Sequence, residues 1–331
     1  MAFRSAGRSR PTGSRPIVRP RWLRYVLPVL AGVVVLLVLV AIAAGVWTDF
    51  LWFRSVHYTS VFGTTYGVKL ALFAVTAVFM MAVIGINIRI AYRLRPANRP
   101  VSAEQHGLDA YRTVIDPHRK VLVWVVLGLI GLISGLAAAG SWRTWLLFAN
   151  QVPFGVQDPQ FHMDLSFFVF DYPFIRMVLS FLFAAVLLSL IAAAVVHYLY
   201  GGLRLQVRGE RATQGARVHL FVLVGIFVLL KAVAYWVDRY GIDFSQRGVV
   251  QTGASYTDVN AVLPAKTVLA VIAVICAALF FAGAIRRNSL LPAVGFGLLV
   301  LSAIIIGGVY PVIVQQFVVK PNELAKEGAR T

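Results

Sequence analysis

The chain has 331 residues, of which 59% are apolar and only 13% are charged, and its mean hydropathy is +0.79. A soluble domain carries about twice that share of charged residues, so the composition excludes an ordinary soluble enzyme. The apolar residues stand in long blocks, which predicts an all-α, polytopic transmembrane helical bundle in contact with the lipid bilayer. The formal net charge of +18 would suit nucleic-acid binding, but its distribution along the chain argues against that function.

Residues 1–24 form a basic tail rich in Ser, Gly and Pro, and we predict that this tail is disordered and cytoplasmic. Anionic lipid headgroups attract such a segment by about 1 kcal/mol per basic residue close to the membrane surface. The tail lacks the interleaved aromatic residues that stack on nucleic-acid bases. Topology and lipid contact therefore explain its charge, and we expect no nucleic-acid partner.

Seven segments within residues 25–314 are long and apolar enough to cross a bilayer, which takes about 20 residues of helix. We predict spans near residues 25–47, 68–88, 121–139, 174–200, 218–237, 268–285 and 290–314. The first segment has features of a cleaved signal peptide, but its uncharged stretch is longer than the usual apolar core of about 7–15 residues. Trp47, Phe50 and Trp52 follow it as an aromatic belt, which favours a retained span.

Lys and Arg are distributed unequally between alternate loops, and this asymmetry predicts the orientation. One set of loops holds 20 basic and 4 acidic residues, whereas the other holds 10 basic and 9 acidic ones. The more basic set comprises residues 1–24, 89–120, 201–217 and 286–287. We therefore predict a multi-pass protein of a bacterial plasma membrane, with a cytoplasmic N-terminus and, after an odd number of spans, an extracytoplasmic C-terminus.

The sequence lacks the common motifs of catalysis and cofactor binding. It has no Gly-rich phosphate loop ending in Lys-Ser or Lys-Thr, no His-Glu-x-x-His, no Cys-x-x-Cys and no Gly-x-Ser-x-Gly. Its single cysteine, Cys276, cannot form an intrachain disulfide. The six histidines are scattered, and none stands at ligand spacing from another. We therefore predict no enzymatic activity and no cofactor.

A small polar cluster, Asp158, His162 and Asp164, lies in the loop between the third and fourth predicted spans. Carboxylate and imidazole ligands at this spacing are compatible with a divalent cation. The alternative is a solvated loop between two aromatic interfacial segments, and we favour that interpretation. The aromatic residues on both sides predict that the loop lies at the membrane surface.

Lys231 is the only ionisable residue well inside a predicted span. An intramembrane lysine is a functional candidate because its burial is expensive. Its stem is long enough to reach most of the way to the outer boundary near Val237. Asp238 lies on the same helical face and is a possible partner in an intramembrane ion pair. We favour these structural roles over the handling of an ion or substrate.

Gly131 and Gly135 stand four residues apart in the third predicted span, and Gly128 and Gly140 extend the small face. Small residues at this spacing let two helices approach closely. In a chain with seven spans, we expect them to pack against another helix of the same chain rather than to form a dimer seam.

Several motifs in the predicted outer loops resemble those of a known family. They are Asp49-Phe50-Leu51-Trp52-Phe53, Val61-Phe62, Asp158-Pro159-Gln160-Phe161, Phe167-Phe168-Val169-Phe170, Tyr240-Gly241, Val262-Leu263-Pro264-Ala265-Lys266, Tyr310-Pro311 and Lys320-Pro321-Asn322-Glu323-Leu324. Over residues 20–325 the chain resembles the large bacterial membrane proteins of uncharacterised protein family 0182 (UPF0182). The resemblance implies about seven N-terminal spans followed by a much longer hydrophilic region outside the cell. Residues 315–331 would then be the truncated start of that region. The resemblance implies no catalytic residues.

Two hypotheses about function stay open at this point. In the first, the chain is a membrane anchor or scaffold for an extracytoplasmic module or envelope partner. In the second, it is a transporter or channel for an unidentified solute, with Lys231 and Asp238 near an outward vestibule. The sequence specifies neither the substrate or partner nor the oligomeric state.

The orientation is testable with two reporter fusions. Alkaline phosphatase fused after Thr331 should be active, because the predicted C-terminus is outside the cytoplasm, where that enzyme folds. The same reporter fused after Arg211 should be inactive. The reverse pattern of activities would contradict the predicted topology.

Overall fold

The computed structural model describes residues 23–96, 103–204, 211–246 and 253–327. Residues 1–22 of the predicted disordered tail lie outside the described residues, as do residues 328–331 of the predicted outer tail. The chain divides into two compact units, residues 1–66 and 67–331. The described residues form no β-strand, only the isolated bridges between Gln157 and Asp164 and between Leu203 and Ala212.

Ten α-helices follow one another along the described chain. They are α1 Leu23–Ser55, α2 Thr59–Arg93, α3 Ala103–Gly140, α4 Trp142–Ala149, α5 Tyr172–Leu199, α6 Gln214–Val237, α7 Leu263–Arg286, α8 Leu290–Ile304, α9 Tyr310–Ile313 and α10 Glu323–Glu327. Shorter turns extend several of them into longer helical segments. Seven segments are long and apolar enough to cross a membrane: Pro28–Ser55, Thr59–Arg93, Thr113–Gly140, Phe167–Leu199, Gln214–Val237, Asp258–Arg286 and Leu290–Asn322. The prediction of an all-α bundle with seven spans is confirmed. The last segment continues to Asn322, beyond the predicted end at residue 314.

Four π-helical turns interrupt the described helices, and each is followed two residues after its end by a proline. The turns are Phe167–Asp171, Asp258–Val262, Ile305–Val309 and Val314–Val319, and the prolines are Pro173, Pro264, Pro311 and Pro321. Proline removes a backbone donor and clashes with the carbonyl four residues earlier in a regular helix. A locally wider turn relieves the clash without ending the helix.

Three buried apolar clusters hold the second unit together. The first joins α6 and α7 and contains Val228, Ala232, Leu269, Ala273, Cys276 and Phe280. The second joins α2, α3 and α5 through Met80, Ile84, Leu127 and Ala185. The third joins α2, α5 and α6 through Ala91, Ala193 and Leu223. Cys276 is a fully buried free thiol in the first cluster, consistent with a role in packing.

The first unit contains α1 and the beginning of α2, joined by a tight turn. His57 has a φ of 62° in this turn, a left-handed conformation that only a minority of non-glycine residues adopt. Aromatic rings from both helices pack together: the ring centroids of Phe50 and Phe62 are 5.4 Å apart. The hydroxyl of Tyr66 donates to the Asp49 carboxylate at 2.7 Å.

Gly131 and Gly135 of α3 lie against α2, as expected for packing within the chain. A Cβ atom at Gly135 would lie 2.7 Å from Cδ2 of Phe73 and 2.9 Å from the Phe73 carbonyl oxygen. A Cβ atom at Gly131 would lie 2.8 Å from the Met81 side chain. The two glycines therefore allow the close approach that small-residue motifs provide between membrane helices.

We expect Gly135→Ala to lower the free energy of unfolding by about 1–3 kcal/mol, because the new methyl group meets a backbone carbonyl that cannot move aside easily. Thermal unfolding of the purified protein in detergent measures the effect. Gly128→Ala in the same helix is the matched control, since a Cβ atom there meets nothing within 4 Å. Equal stability of the two variants would contradict the assigned role of Gly135.

Candidate functional site

A cavity of about 560 Å³ opens where α5 and α7 begin and α6 ends. We call it the charged cleft, and we call this end of the second unit the cleft end. Its lining residues are Tyr172, Arg176, Asp238, Gly241, Ile242, Phe244, Ser245, Gln246, Asp258, Val262 and Lys266. They come from the first turns of α5, the end of α6, the 3₁₀ turn Tyr240–Phe244 and the π-helical entry to α7.

The Asp238 carboxylate is shared by two cations from two neighbouring helices. One oxygen accepts a hydrogen bond from the guanidinium of Arg176 in α5. The other oxygen lies 3.5 Å from Nζ of Lys266 in α7. Asp238 caps the C-terminus of α6, and its side chain is only 20% exposed. This single carboxylate therefore fixes the ends of three helices at the cleft.

Lys231 lies about two turns deeper in α6, and the ion pair with Asp238 that the sequence suggests is not among the contacts that the described residues make. Among the described residues, Asp238 pairs with Arg176 and Lys266, and Lys231 has no carboxylate within pairing distance. The Lys231 Nζ lies instead 4.7 Å from the ring centroid of Tyr235. The Nζ of Lys266 lies 5.4 Å from the same ring. The ring of Tyr235 thus stabilises two ammonium groups by cation–π contact.

The cleft carries more positive than negative charge that is open to a ligand. Asp258 lines it, but the Asp258 side chain is 2% exposed. Its Oδ2 accepts hydrogen bonds from the hydroxyl of Ser255 at 2.7 Å and from the Ser255 backbone N–H at 3.2 Å. Arg176 and Lys266 are 47% and 30% exposed at the cleft. Both residues line the cavity.

Asp158 and Asp164, two of the three candidate metal ligands, accept hydrogen bonds from backbone amides of their own loop. The Asp158 Oδ2 accepts from the N–H groups of Gln160 and Phe161 at 2.8 and 2.6 Å. The carboxylate of Asp164 accepts from three amides, those of Ser166, Phe154 and Gly155. The Ser166 and Phe154 amides in particular lower the pKa of Asp164 to about 2.

His162, the third metal candidate, has a φ of 54° in the same loop. In the part of the chain that the structure describes, no three His, Cys, Asp or Glu side chains are grouped so that they could hold a metal ion. Asp158 and Asp164 shape the loop.

Two connections meet at the cleft end and form what we call the loop platform, residues 154–171 and 238–246. The ring of Tyr240 lies 5.0 Å from that of Phe161 and 5.2 Å from that of Phe167, centroid to centroid. Burial, and then the negative charge of nearby Asp158, raise the pKa of the Asp243 carboxyl to about 7. Aromatic packing thus joins segments about 80 residues apart in sequence.

A second polar cluster lies at the opposite end, which we call the histidine end. The Nε2 of His197 lies 3.2 Å from Nδ1 of His219. The other ring nitrogen of His219 lies 3.1 Å from Oδ1 of Asn87. These contacts connect α5, α6 and α2 in a row of hydrogen bonds, and both histidines are buried.

Sequence reasoning missed this pair, since it found no histidines at ligand spacing. The available signal was topological rather than local. His197 is in the last turn of α5 and His219 is near the start of α6. Consecutive antiparallel helices bring such positions to the same level.

A family model described as "Uncharacterised protein family (UPF0182)" matches residues 26–329. A UPF0182 protein of Thermobifida fusca is 52% identical over 323 residues, which cover 98% of this chain and 31% of the relative. One from Streptomyces coelicolor is 54% identical, over 96% of this chain and 32% of the relative. One from Rhodococcus erythropolis is 43% identical, over 96% of this chain and 33% of the relative. The chain thus spans about a third of the length of these relatives. No solved structure matches it.

The ion-pair assignment at the cleft can be tested by two double-mutant cycles. Residues in direct contact couple by about 0.5–3 kcal/mol, and residues without contact are additive within about 0.5 kcal/mol. We expect Arg176→Met and Asp238→Asn to couple, toward the lower end because Arg176 is 47% exposed.

Lys231→Met and Asp238→Asn should instead be additive in the second cycle. Lys231→Met alone should leave the free energy of unfolding equal or raise it, because it removes a charge from an apolar surrounding. Unfolding in detergent measures all five variants, three single and two double. A strong coupling between Lys231 and Asp238 would support the ion pair predicted from the sequence and contradict additivity.

Proposed function

The chain belongs to the uncharacterised protein family UPF0182, and from its architecture we infer that it is a membrane anchor that holds an extracytoplasmic module or partner at the bacterial cell envelope. Seven helices of spanning length support residence in the membrane. The relatives are about three times as long as this chain. An anchor role gives the remaining part of such a protein a fixed position at the membrane.

The proposed orientation places the cleft end and the loop platform outside the cytoplasm. The connections at the cleft end belong to the loop set with 10 basic and 9 acidic residues. The connections at the histidine end belong to the set with 20 basic and 4 acidic residues. Basic loops stay on the cytoplasmic side during insertion, which supports this orientation.

The observation that carries the proposal is the construction of the loop platform. A connection that only links two spans needs few residues and no internal structure. Here Asp158 and Asp164 hold the first segment through backbone amides, and Tyr240 packs the second segment onto it. A preorganised surface at the end of a rigid bundle is suited to hold another protein domain.

Transport is the second candidate, because Lys231 lies deeper than the charged cleft. The buried positions of α6 between Lys231 and His219 are Leu223, Gly225 and Val228, which carry no polar side chain. Apolar clusters fill the adjoining space against α5 and α7. This packing favours the anchor over a polar path from one end to the other.

Recruitment tests the anchor directly. The tagged chain is produced together with the exported remainder of the Thermobifida fusca relative, meaning the part outside the match. Membranes are then sedimented and washed with salt. We expect the remainder to sediment only when the chain is present, and Tyr240→Ala to release most of it because the platform loses its central ring.

Arg286→Ala is the matched control, since Arg286 is an exposed residue at the histidine end and should not affect recruitment. A remainder that stays soluble with the unmodified chain would overturn the anchor proposal. A solute flux in proteoliposomes that Lys231→Met abolishes would favour transport instead.

A further inference from the structure

We propose that the charged cleft binds a phosphate group carried by an anionic lipid headgroup, with Arg176 and Lys266 as its direct ligands. This inference goes beyond anchoring and does not depend on it. It rests on the charges, the size and the surroundings of the cleft.

Arg176 and Lys266 share the single carboxylate of Asp238. Guanidinium carries five N–H donors and ammonium three, so most donors of both groups are left for another acceptor. Hydrogen bonds from these groups to phosphate are charge-assisted, and an arginine fork matches phosphate geometry.

Lys231 adds a third positive charge behind this pair. It faces the same Tyr235 ring as Lys266, and among the described residues it has no carboxylate within pairing distance. The other acidic residue of the cleft, Asp258, is buried and hydrogen-bonded to Ser255. Among the residues that the structure describes at and behind the cleft, three cations therefore stand against two carboxylates, and the unbalanced charge favours an anionic ligand.

The size and neutral lining of the cleft also fit a headgroup. A volume of about 560 Å³ lies within the usual range for small-molecule sites, about 300–1,000 Å³. The hydroxyls of Tyr172 and Ser245 and the amide of Gln246 line it. These groups can donate to phosphate or headgroup oxygens without adding charge.

The surroundings distinguish a lipid from a soluble phosphate. Phe244 lines the cleft and is 54% exposed, and Trp236, near the end of α6, is 49% exposed. The Arg239 guanidinium lies 4.3 Å from the Trp236 ring centroid. Exposed aromatic rings beside cations mark the interfacial level of a membrane protein. A phosphate at this level arrives with acyl chains that can lie along the apolar helix surfaces.

The experiment measures binding of phosphatidylglycerol to the purified full chain in detergent, with phosphatidylcholine as the reference lipid. We expect Arg176→Gln and Lys266→Gln each to weaken binding by about tenfold, the effect of losing one charge-assisted contact. Arg143→Gln is the matched control, because its guanidinium packs over Trp142 at 5.2 Å and lies outside the cleft lining. It should bind like the unmodified chain.

We expect Asp238→Asn to change the affinity for phosphatidylglycerol in the opposite direction, and this variant distinguishes a lost ligand contact from misfolding. It removes the carboxylate that competes with the ligand for both cations, so phosphatidylglycerol should bind more tightly. A damaged protein would not gain affinity. Weaker or unchanged binding by Asp238→Asn would overturn the proposal.

Competition identifies the source of the phosphate. Failure of sn-glycerol 3-phosphate to displace the lipid supports a lipid headgroup, whereas displacement at equal concentration assigns the site to a soluble phosphate. Displacement by polyglutamate, with no preference for phosphatidylglycerol over phosphatidylcholine, would overturn the proposal in favour of an acidic protein segment. Because recruitment of the remainder is measured separately, lipid binding and anchoring can fail independently.

Discussion

The carboxylate of Asp238 connects three helices at the point where α6 ends. Arg176 reaches it from α5 and Lys266 reaches it from α7, while the apolar clusters below hold the same helices together along their length. Hydrophobic burial alone does not fix the rotation and height of helices in lipid, since lipid tails are as apolar as their side chains. The contacts of Asp238 with Arg176 and Lys266 constrain the rotation and height of the three helices at the cleft.

Much of the fold was predictable because its physical cause is local. A spanning helix needs a long apolar block, and each of the seven blocks is visible without knowledge of its neighbours. The roles of Gly131 and Gly135 were predictable for the same reason, since close approach requires small residues at regular spacing. The partner of Asp238 was not. Lys231 lies on the same helix and was the local candidate, whereas Arg176 is 62 residues away in sequence. The choice between Lys231 and Arg176 as the partner of Asp238 depends on how α5 packs against α6.

The polar loop residues illustrate a different limit. Asp158 and Asp164 have the composition of a cation site, but a carboxylate serves equally well as an acceptor for backbone N–H groups. The role of the carboxylate depends on the direction of the nearby backbone N–H groups. That direction depends on backbone angles such as the φ of 54° at His162, which the sequence does not reveal. The pairing of His197 with His219 has the same origin. The two histidines meet because α5 and α6 are antiparallel and both residues lie near the same end of the bundle. Their separation along the sequence does not show this.

The π-helical turns have a consequence for the last spanning segment. Each extra residue in a helical turn rotates everything beyond it by about 100° around the axis. Between Leu290 and Asn322 the chain contains two such turns, so its first and last portions present different faces without any break. Gly295, in the first portion, packs against Leu279 and the Cys276 carbonyl of α7. Gln315, in the last portion, instead accepts a hydrogen bond from the hydroxyl of Thr257 beside the entry to α7. One continuous helical segment therefore makes a close-packed contact with α7 through its first portion and a polar contact with Thr257 through its last portion.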